Sequence, residues 1–205
     1  ARVALDRGDV DHAFRLLSEL EYIGRHERLP RALASAQLER ARLALLRDDV
    51  DEAQGHLQRA RAPEAWASLR GLVMWANDVE TVELARWRLA ARGVDRAEAL
   101  HALKADIRAA QASLRHRRAF KQKILLAAVL QVNGHGRLAL RTMQEALEAA
   151  CPQGLVRTFV DEGRPVIDLV REVRVSVAAA TATAGREQNR ALLEFIERIL
   201  TRSGV

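Results

Sequence analysis

The stretch LQVNGHGRLALRTMQEALEAACPQGLVRTFVDEG (residues 130–163) indicates how the rest of the chain folds. A turn containing Gly134 and Gly136 separates the end of one helix from the start of the next. Pro152 and Gly154 predict where the second helix stops. Within that helix, small and apolar residues recur at the spacing of one helical face: Leu138, Ala139, Thr142, Met143, Ala146, Leu147 and Ala150. The stretch therefore predicts a helical hairpin followed by an apolar run that ends at Asp161-Glu162-Gly163.

The same pattern of helix, tight turn and helix occurs three more times, in residues 4–20, 41–60 and 89–107. The second helix of the first copy is expected to be capped near Asp9, and the turn of the second copy contains Asp48 and Asp49. Aligning the copies on a small residue of the second helix places them at Ala13, Ala53, Ala97 and Ala139, so the periods are 40, 44 and 42 residues. Repeats of this length are typical of helical solenoids.

The composition favours the same class of fold. Apolar residues make up 49% of the chain, but Phe, Trp and Tyr together reach only 4%, a mixture typical of helices and not of sandwiches or barrels. The prediction is an all-α, right-handed helical-repeat superhelix of about four helix pairs of 40–44 residues. Residues 1–163 are expected to form the repeats and residues 164–205 the C-terminal cap or bridging helices.

Several apolar stripes define the remaining expected helices. One starts at Pro165, and another spans residues 186–201, whereas RVSVAAATATAG (174–185) between them is expected to fray or form a loop. Pro63 is expected to start a short helix within an insertion between the second and third repeats. The stripes have these members: Val10, Ala13, Phe14, Leu17 and Leu20; Leu100, Leu103, Ile107, Ala110 and Leu114; Val166, Leu169, Val170 and Val173; Leu192, Leu193, Ile196, Ile199 and Leu200.

Neither catalysis nor metal binding is expected. The six histidines have no partners at the spacing of a helical metal site, and the single cysteine, Cys151, has no activating neighbour in sequence. Asp161 and Glu162 are adjacent, so they are expected to serve turn and capping chemistry and not to act as a catalytic pair. A lone cysteine, the absence of a signal peptide and the absence of a long apolar run favour a cytoplasmic protein with no membrane contact.

The net charge of +6 comes mostly from one stretch, because residues 104–123 contain seven basic residues and a single acid, Asp106. Two interpretations remain open for it. One is a solvated helix face and inter-helix turn. The other is a surface for anions or a partner, formed by Arg115, Arg117, Arg118 and Lys121.

Three segments resemble one known family. ALRTMQEALEAACPQGLVRTFVDEG (139–163), ETVELARWRLAARG (80–93) and RRAFKQKILLAAVLQVNG (117–134) are similar to the helical-repeat domain of the MalT-like, large ATP-binding subgroup of LuxR-type bacterial transcription regulators. The resemblance covers most of residues 30–172. The chain also starts at Ala1 inside a repeat, so it is expected to be a fragment of a longer protein.

The resemblance implies a sensor and interaction domain. It implies an unknown small-molecule inducer or regulatory protein as partner, and it leaves self-association open. In the family, an ATPase module precedes the repeats and a DNA-binding helix-turn-helix follows them, so ATP and DNA are expected to bind only outside this chain, which has no GxxxxGK loop and is expected to need no cofactor. The rival interpretation is a tetratricopeptide-like scaffold that binds proteins and no small molecule.

The candidate residues for an inducer groove are Trp75, Arg86, Trp87 and Gln131. Aromatic side chains on the inner face of a solenoid offer apolar area together with a polar atom. The alternative for Trp87 is packing between repeats.

Overall fold

The computed structural model describes residues 1–66, 80–184 and 187–204, and every regular element within those ranges is helical. None of the described helices is both long and apolar enough to cross a membrane. The helices, in chain order, are α1 (Arg2–Asp6), α2 (Val10–His26), α3 (Pro30–Leu46), α4 (Val50–Ala60), α5 (Pro63–Trp66), α6 (Val82–Ala90), α7 (Arg96–Ala112), α8 (His116–Val132), α9 (Gly136–Ala150), α10 (Val156–Val160), α11 (Arg164–Ala184) and α12 (Glu187–Ser203).

Four helix pairs, α1–α2, α3–α4, α6–α7 and α8–α9, correspond to the four predicted repeats, and the all-α helical-repeat prediction is confirmed. All six turns that join the repeat helices have the same hydrogen bonds, in which two successive N–H groups donate back to the last turn of the preceding helix. At each turn the first of these donors has a positive φ, and these residues are Gly8, Arg28, Asp48, Gly93, Leu114 and Gly134.

Aspartates start the second helices of the first two repeats. Asp9 Oδ1 accepts a hydrogen bond from the backbone N–H of His12, and Asp49 Oδ1 accepts one from Glu52, each at 2.9 Å. These bonds satisfy backbone donors that a helix start leaves free, so the predicted cap at Asp9 is confirmed.

The register predicted for the third repeat is wrong. Ala13, Ala53 and Ala139 are completely buried, but Ala97 is exposed and Ala99 is the buried residue of α7. The turn before α7 has five residues, whereas the corresponding turns of the other pairs have three. The two extra residues move the small residue along the chain, and the periods become 40, 46 and 40 residues.

The chain divides into two compact units, Ala1–Arg86 and Trp87–Val205. In the first unit α3 packs against both α2 and α4. Helices α2 and α3 approach closely at Gly24, where an added Cβ would lie 2.9 Å from Leu33 Cγ.

Pro63 begins α5 as predicted, and the indole N–H of Trp66 donates to the carbonyl of Ala60 at 2.8 Å. Most of the insertion, residues 67–79, lies outside the described residues.

In the second unit α8 packs against α7, α9 and α11. The predicted loop over residues 174–185 is wrong, because α11 continues to Ala184. Alanine has the highest helix propensity of all residues, and Val177 is buried in line with the predicted stripe, so the helix does not fray where the sequence becomes small and weakly amphipathic. The stripes predicted for α11 and α12 are buried or half-buried throughout.

A few apolar residues predicted to line the core are exposed instead. Val10 and Leu138 are in the first turns of α2 and α9, where they are 47% and 48% exposed. Leu114 lies beyond the end of α7, with 71% of its surface exposed. Each of these residues continues a helical stripe in sequence, but its helix starts too late or ends too early for the side chain to reach the neighbouring helix.

Candidate functional site

A buried ion pair joins the third repeat to the segment before α11. Arg88 on α6 donates from Nε to Glu162 Oε2 at 2.6 Å and from Nη2 to Glu162 Oε1 at 3.1 Å. The Arg88 and Glu162 side chains are 2% and 0% exposed. Two parallel bonds between a guanidinium and a carboxylate fix both distance and orientation, and burial removes the competition from water.

Lys121 of α8 is the third charged group in this cluster. Its Nζ lies 3.8 Å from Glu162 Oε1, and its side chain is 12% exposed. Glu162 was expected to serve turn and capping chemistry, and it does lie in the turn before α11. Its side chain, however, holds three segments together across 74 residues of sequence. Asp161 instead makes a local pair with Arg157 at 2.8 Å.

The predicted basic surface is divided by the fold. Arg117 is exposed in the first turn of α8, and Arg115 and Arg118 are half-buried on either side of it. Lys121 points towards Glu162 and not towards solvent. The four residues therefore do not form one continuous exposed patch.

The predicted groove residues lie in different environments. Trp87 is 2% exposed, as its packing interpretation predicted, whereas Gln131 is exposed near the end of α8. Arg86 is half-buried on α6, and Trp75 lies outside the described residues. Trp87 and Gln131, which belong to the same unit, do not line a common open groove because the surface of Trp87 is already covered.

Two clefts lie elsewhere on the described surface. One, of about 330 Å³, lies between α9 and α11 and is lined by Leu140, Arg141, Gln144, Glu145, Glu148, Val173 and Ser176. At its edge, Lys123 donates to Glu145 at 2.9 Å, and this bond, with a second from Arg141, holds the pKa of the Glu145 carboxyl below its usual range. The other, of about 480 Å³, follows α2 past Ser18, Glu19, Tyr22 and Ile23. Sequence reasoning missed both, because their residues are ordinary helix-surface residues.

A polar cluster in the first unit surrounds His56 on α4. The side-chain N–H of Gln37 donates to Glu21 at 2.9 Å, which turns the Gln37 oxygen towards His56 Nδ1, 2.7 Å away. Burial, and then the nearby Arg59 guanidinium, lower the pKa of His56, while Glu52 opposes the shift. The cluster therefore favours the neutral imidazole.

Two further polar side chains lie in the second unit: Cys151, which was expected to have a structural role, and Gln122, which no sequence feature indicated. Cys151 is half-exposed at the end of α9, and its Sγ lies 3.5 Å from the carbonyl oxygen of Ala191. The Gln122 side chain is completely buried in α8, and neither its amide oxygen nor its nitrogen has a hydrogen-bond partner among the described residues. Nothing in the sequence distinguished Gln122 from a surface glutamine.

Four helix pairs, each with a turn of three or five residues between its two helices and each containing a buried alanine at the aligned position, define a helical-repeat protein of the tetratricopeptide type. The chain belongs to the family described as the MalT-like TPR region, whose profile matches residues 1–176. No curated protein and no solved structure matches the chain. The predicted resemblance to a MalT-like helical-repeat region is thus confirmed, and the match extends beyond the three segments that suggested it, into the first repeat.

Proposed function

We propose that this chain is the ligand-sensing and interaction domain of a LuxR-family transcription regulator. In this proposal it relays the binding of an inducer or a regulatory protein to a helix-turn-helix domain outside these 205 residues, and it has no catalytic activity and no cofactor of its own. The observation that carries the proposal is the family match over residues 1–176.

The proposed mechanism is a shift between two conformations of the regulator. An inducer changes their populations only if it binds one conformation more tightly, and a ligand that binds both equally changes nothing. The buried Arg88–Glu162 pair supports a coupling role for the second unit, since it links α6 directly to the segment that leads into α11. A packed, charged link of this kind has few alternative geometries, so it favours discrete states over gradual bending.

A panel of small metabolites, screened by thermal denaturation of the 205-residue chain, tests the sensing role. A ligand at one hundred times its Kd should raise the midpoint by about 5–10 °C. Tryptophan fluorescence provides a second readout, and Trp87→Phe serves as a control that assigns the signal. If no metabolite shifts the midpoint while a protein partner binds tightly, the small-molecule version of the proposal is wrong.

The second candidate function is a scaffold that binds proteins only. The cleft along α2 favours it, because Tyr22 and Ile23 are 68% and 48% exposed beside that cleft. Exposed apolar area of this kind is more typical of a protein-binding surface than of an enclosed metabolite pocket. The coding sequence after Val205 distinguishes the two: a LuxR-type helix-turn-helix there would support the regulator, and its absence would favour the scaffold.

A further inference from the structure

The second half of α7 and the start of α8 carry cations that form no ion pair with any of the residues that the structure describes. Of the seven basic residues in 104–123, Lys121 and Lys123 face Glu162 and Glu145. Arg115 and Arg118 are half-buried and take part in interactions within the chain. The remaining three, Lys104, Arg108 and Arg117, are exposed, and none has an ion pair within the described ranges.

The three cations are not balanced by the acid in the same stretch. Lys104 and Arg108 are four residues apart, so they share one face of α7. Asp106 is two residues from each, about 200° around the helix, and it is half-buried. From Ala99 to the end of α7, the exposed charged residues are therefore basic, and Arg117 adds a further exposed cation just after the turn.

In sequence, an exposed leucine lies between Arg108 and Arg117. Leu114 is 71% exposed and has a φ of +56°, in the left-handed region that branched side chains rarely adopt. The equivalent position is glycine in three of the other repeat turns, and Arg28 and Asp48 in the remaining two. Leu114 is thus the only apolar residue at this position in the six repeat turns. Neither backbone conformation nor burial explains a leucine at this position, because glycine would relieve the strain and a polar residue would suit the exposure.

We propose that Lys104, Arg108, Leu114 and Arg117, which together form the α7–α8 edge, are a docking surface for an acidic amphipathic segment of a partner protein. The cations attract carboxylates and orient the partner, while Leu114 provides an apolar contact. The leucine favours a protein over a nucleic acid, because phosphate recognition uses charge and hydrogen bonds and gains nothing from an exposed aliphatic side chain. The surface does not depend on inducer sensing: a domain that binds no metabolite can still use it.

The test uses the 205-residue chain and a fluorescein-labelled helical peptide with leucines at helical spacing among glutamates. The same peptide with alanine in place of leucine, and a DNA duplex, are the comparison probes. Fluorescence anisotropy at physiological salt should show that Leu114→Gly weakens binding of the leucine peptide by about tenfold. The same Leu114→Gly substitution should leave binding of the alanine peptide unchanged. Lys104→Glu combined with Arg108→Glu should weaken binding of both peptides by about tenfold or more.

Matched controls separate docking from folding. Leu114→Gly should keep or raise the thermal midpoint, because glycine adopts a positive φ without strain. Arg28→Gly makes the same backbone change at the equivalent turn in the first unit, and Arg15→Glu with Arg137→Glu reverses two exposed cations elsewhere. Both controls should bind the peptide normally.

Four results would overturn the proposal. These are unchanged binding by the Leu114→Gly chain, an equal loss in the Arg28→Gly control, and no measurable binding of the leucine peptide by the unaltered chain. The fourth is tighter binding of the DNA duplex than of the peptide, lost on reversal of Lys104 and Arg108, which would assign the surface to nucleic acid.

Discussion

Arg88 and Glu162 are 74 residues apart in sequence, yet their side chains meet at two hydrogen bonds of 2.6 and 3.1 Å inside the core. Removing one charge leaves the other buried without its partner, a change that costs far more than losing a surface pair. Lys121 increases the effect, because without Glu162 two cations would face each other across the cluster.

Glu162→Leu should therefore lower the free energy of unfolding by about 3–5 kcal/mol, measured by urea denaturation. The double variant Arg88→Met with Glu162→Leu should recover most of that loss, because no buried charge is then left facing the leucine except the partly exposed Lys121. Arg157→Ala, which breaks the partly exposed neighbouring pair with Asp161, should cost less than about 1 kcal/mol. A double variant no more stable than Glu162→Leu would contradict this account.

The register of the third repeat predicts opposite effects for two alanines that are two residues apart. Ala99→Glu should destabilise the chain by about 2 kcal/mol or more, because the site is completely buried and has no room for a charged side chain. Ala97→Glu, on the exposed side of α7, should change stability by less than about 0.5 kcal/mol. Thermal denaturation measures both, and equal effects would mean that the five-residue turn has been placed incorrectly.

The environment of His56 predicts a loss of stability in mild acid. Its folded-state pKa is lowered from the ordinary value of 6.5, mainly by burial and then by Arg59, so the unfolded chain binds a proton more readily than the folded one. Its stabilising contribution is present above pH 6.5 and is lost as the pH falls through the folded-state pKa. The urea midpoint should fall between pH 7.5 and 5.5, and His56→Gln should reduce that fall. His101→Gln, an exposed control on α7, should not.

The unpaired amide of Gln122 predicts a stabilising substitution. Gln122→Met keeps the approximate length of the side chain and removes two buried polar atoms that lack hydrogen bonds, so it should stabilise the chain by about 1–2 kcal/mol. Gln131→Met, on the exposed end of the same helix, should have an effect within about 0.5 kcal/mol. The comparison uses chemical denaturation at constant pH, and a destabilised Gln122→Met chain would indicate that the amide has a partner in solution.

Local signals in the sequence were sufficient for most of the helices. Asp9 was expected to cap α2, and Pro152 with Gly154 to end α9, because each effect depends on a few consecutive residues. The errors came where two local rules conflicted. In the third repeat, Gly93 and Asp95 resembled the ordinary three-residue turn, yet both have positive φ and the helix begins only at Arg96. Residues 174–184 looked weakly amphipathic, but Val177 is buried and α11 continues.

The candidate site was much less predictable than the fold. Trp87 was considered for a groove and is buried, and Lys121 was considered for a surface and faces Glu162. Leu114 was assigned to a helical stripe, but it lies two residues beyond the end of α7, has a positive φ and is exposed. No sequence pattern indicates this conformation.

The sequence by itself determined the helical class, the repeat and the family, because helical periodicity, turn residues and short motifs depend on residues close together in the chain. Only the tertiary structure decided which charges are paired. Arg88 and Glu162 meet because intervening helices fold back on one another, and no local pattern encodes that distance. The division of the basic stretch has the same cause: whether a cation is neutralised depends on which distant acid the packing brings near it, and no ion pair with Lys104, Arg108 or Arg117 is found within the described ranges.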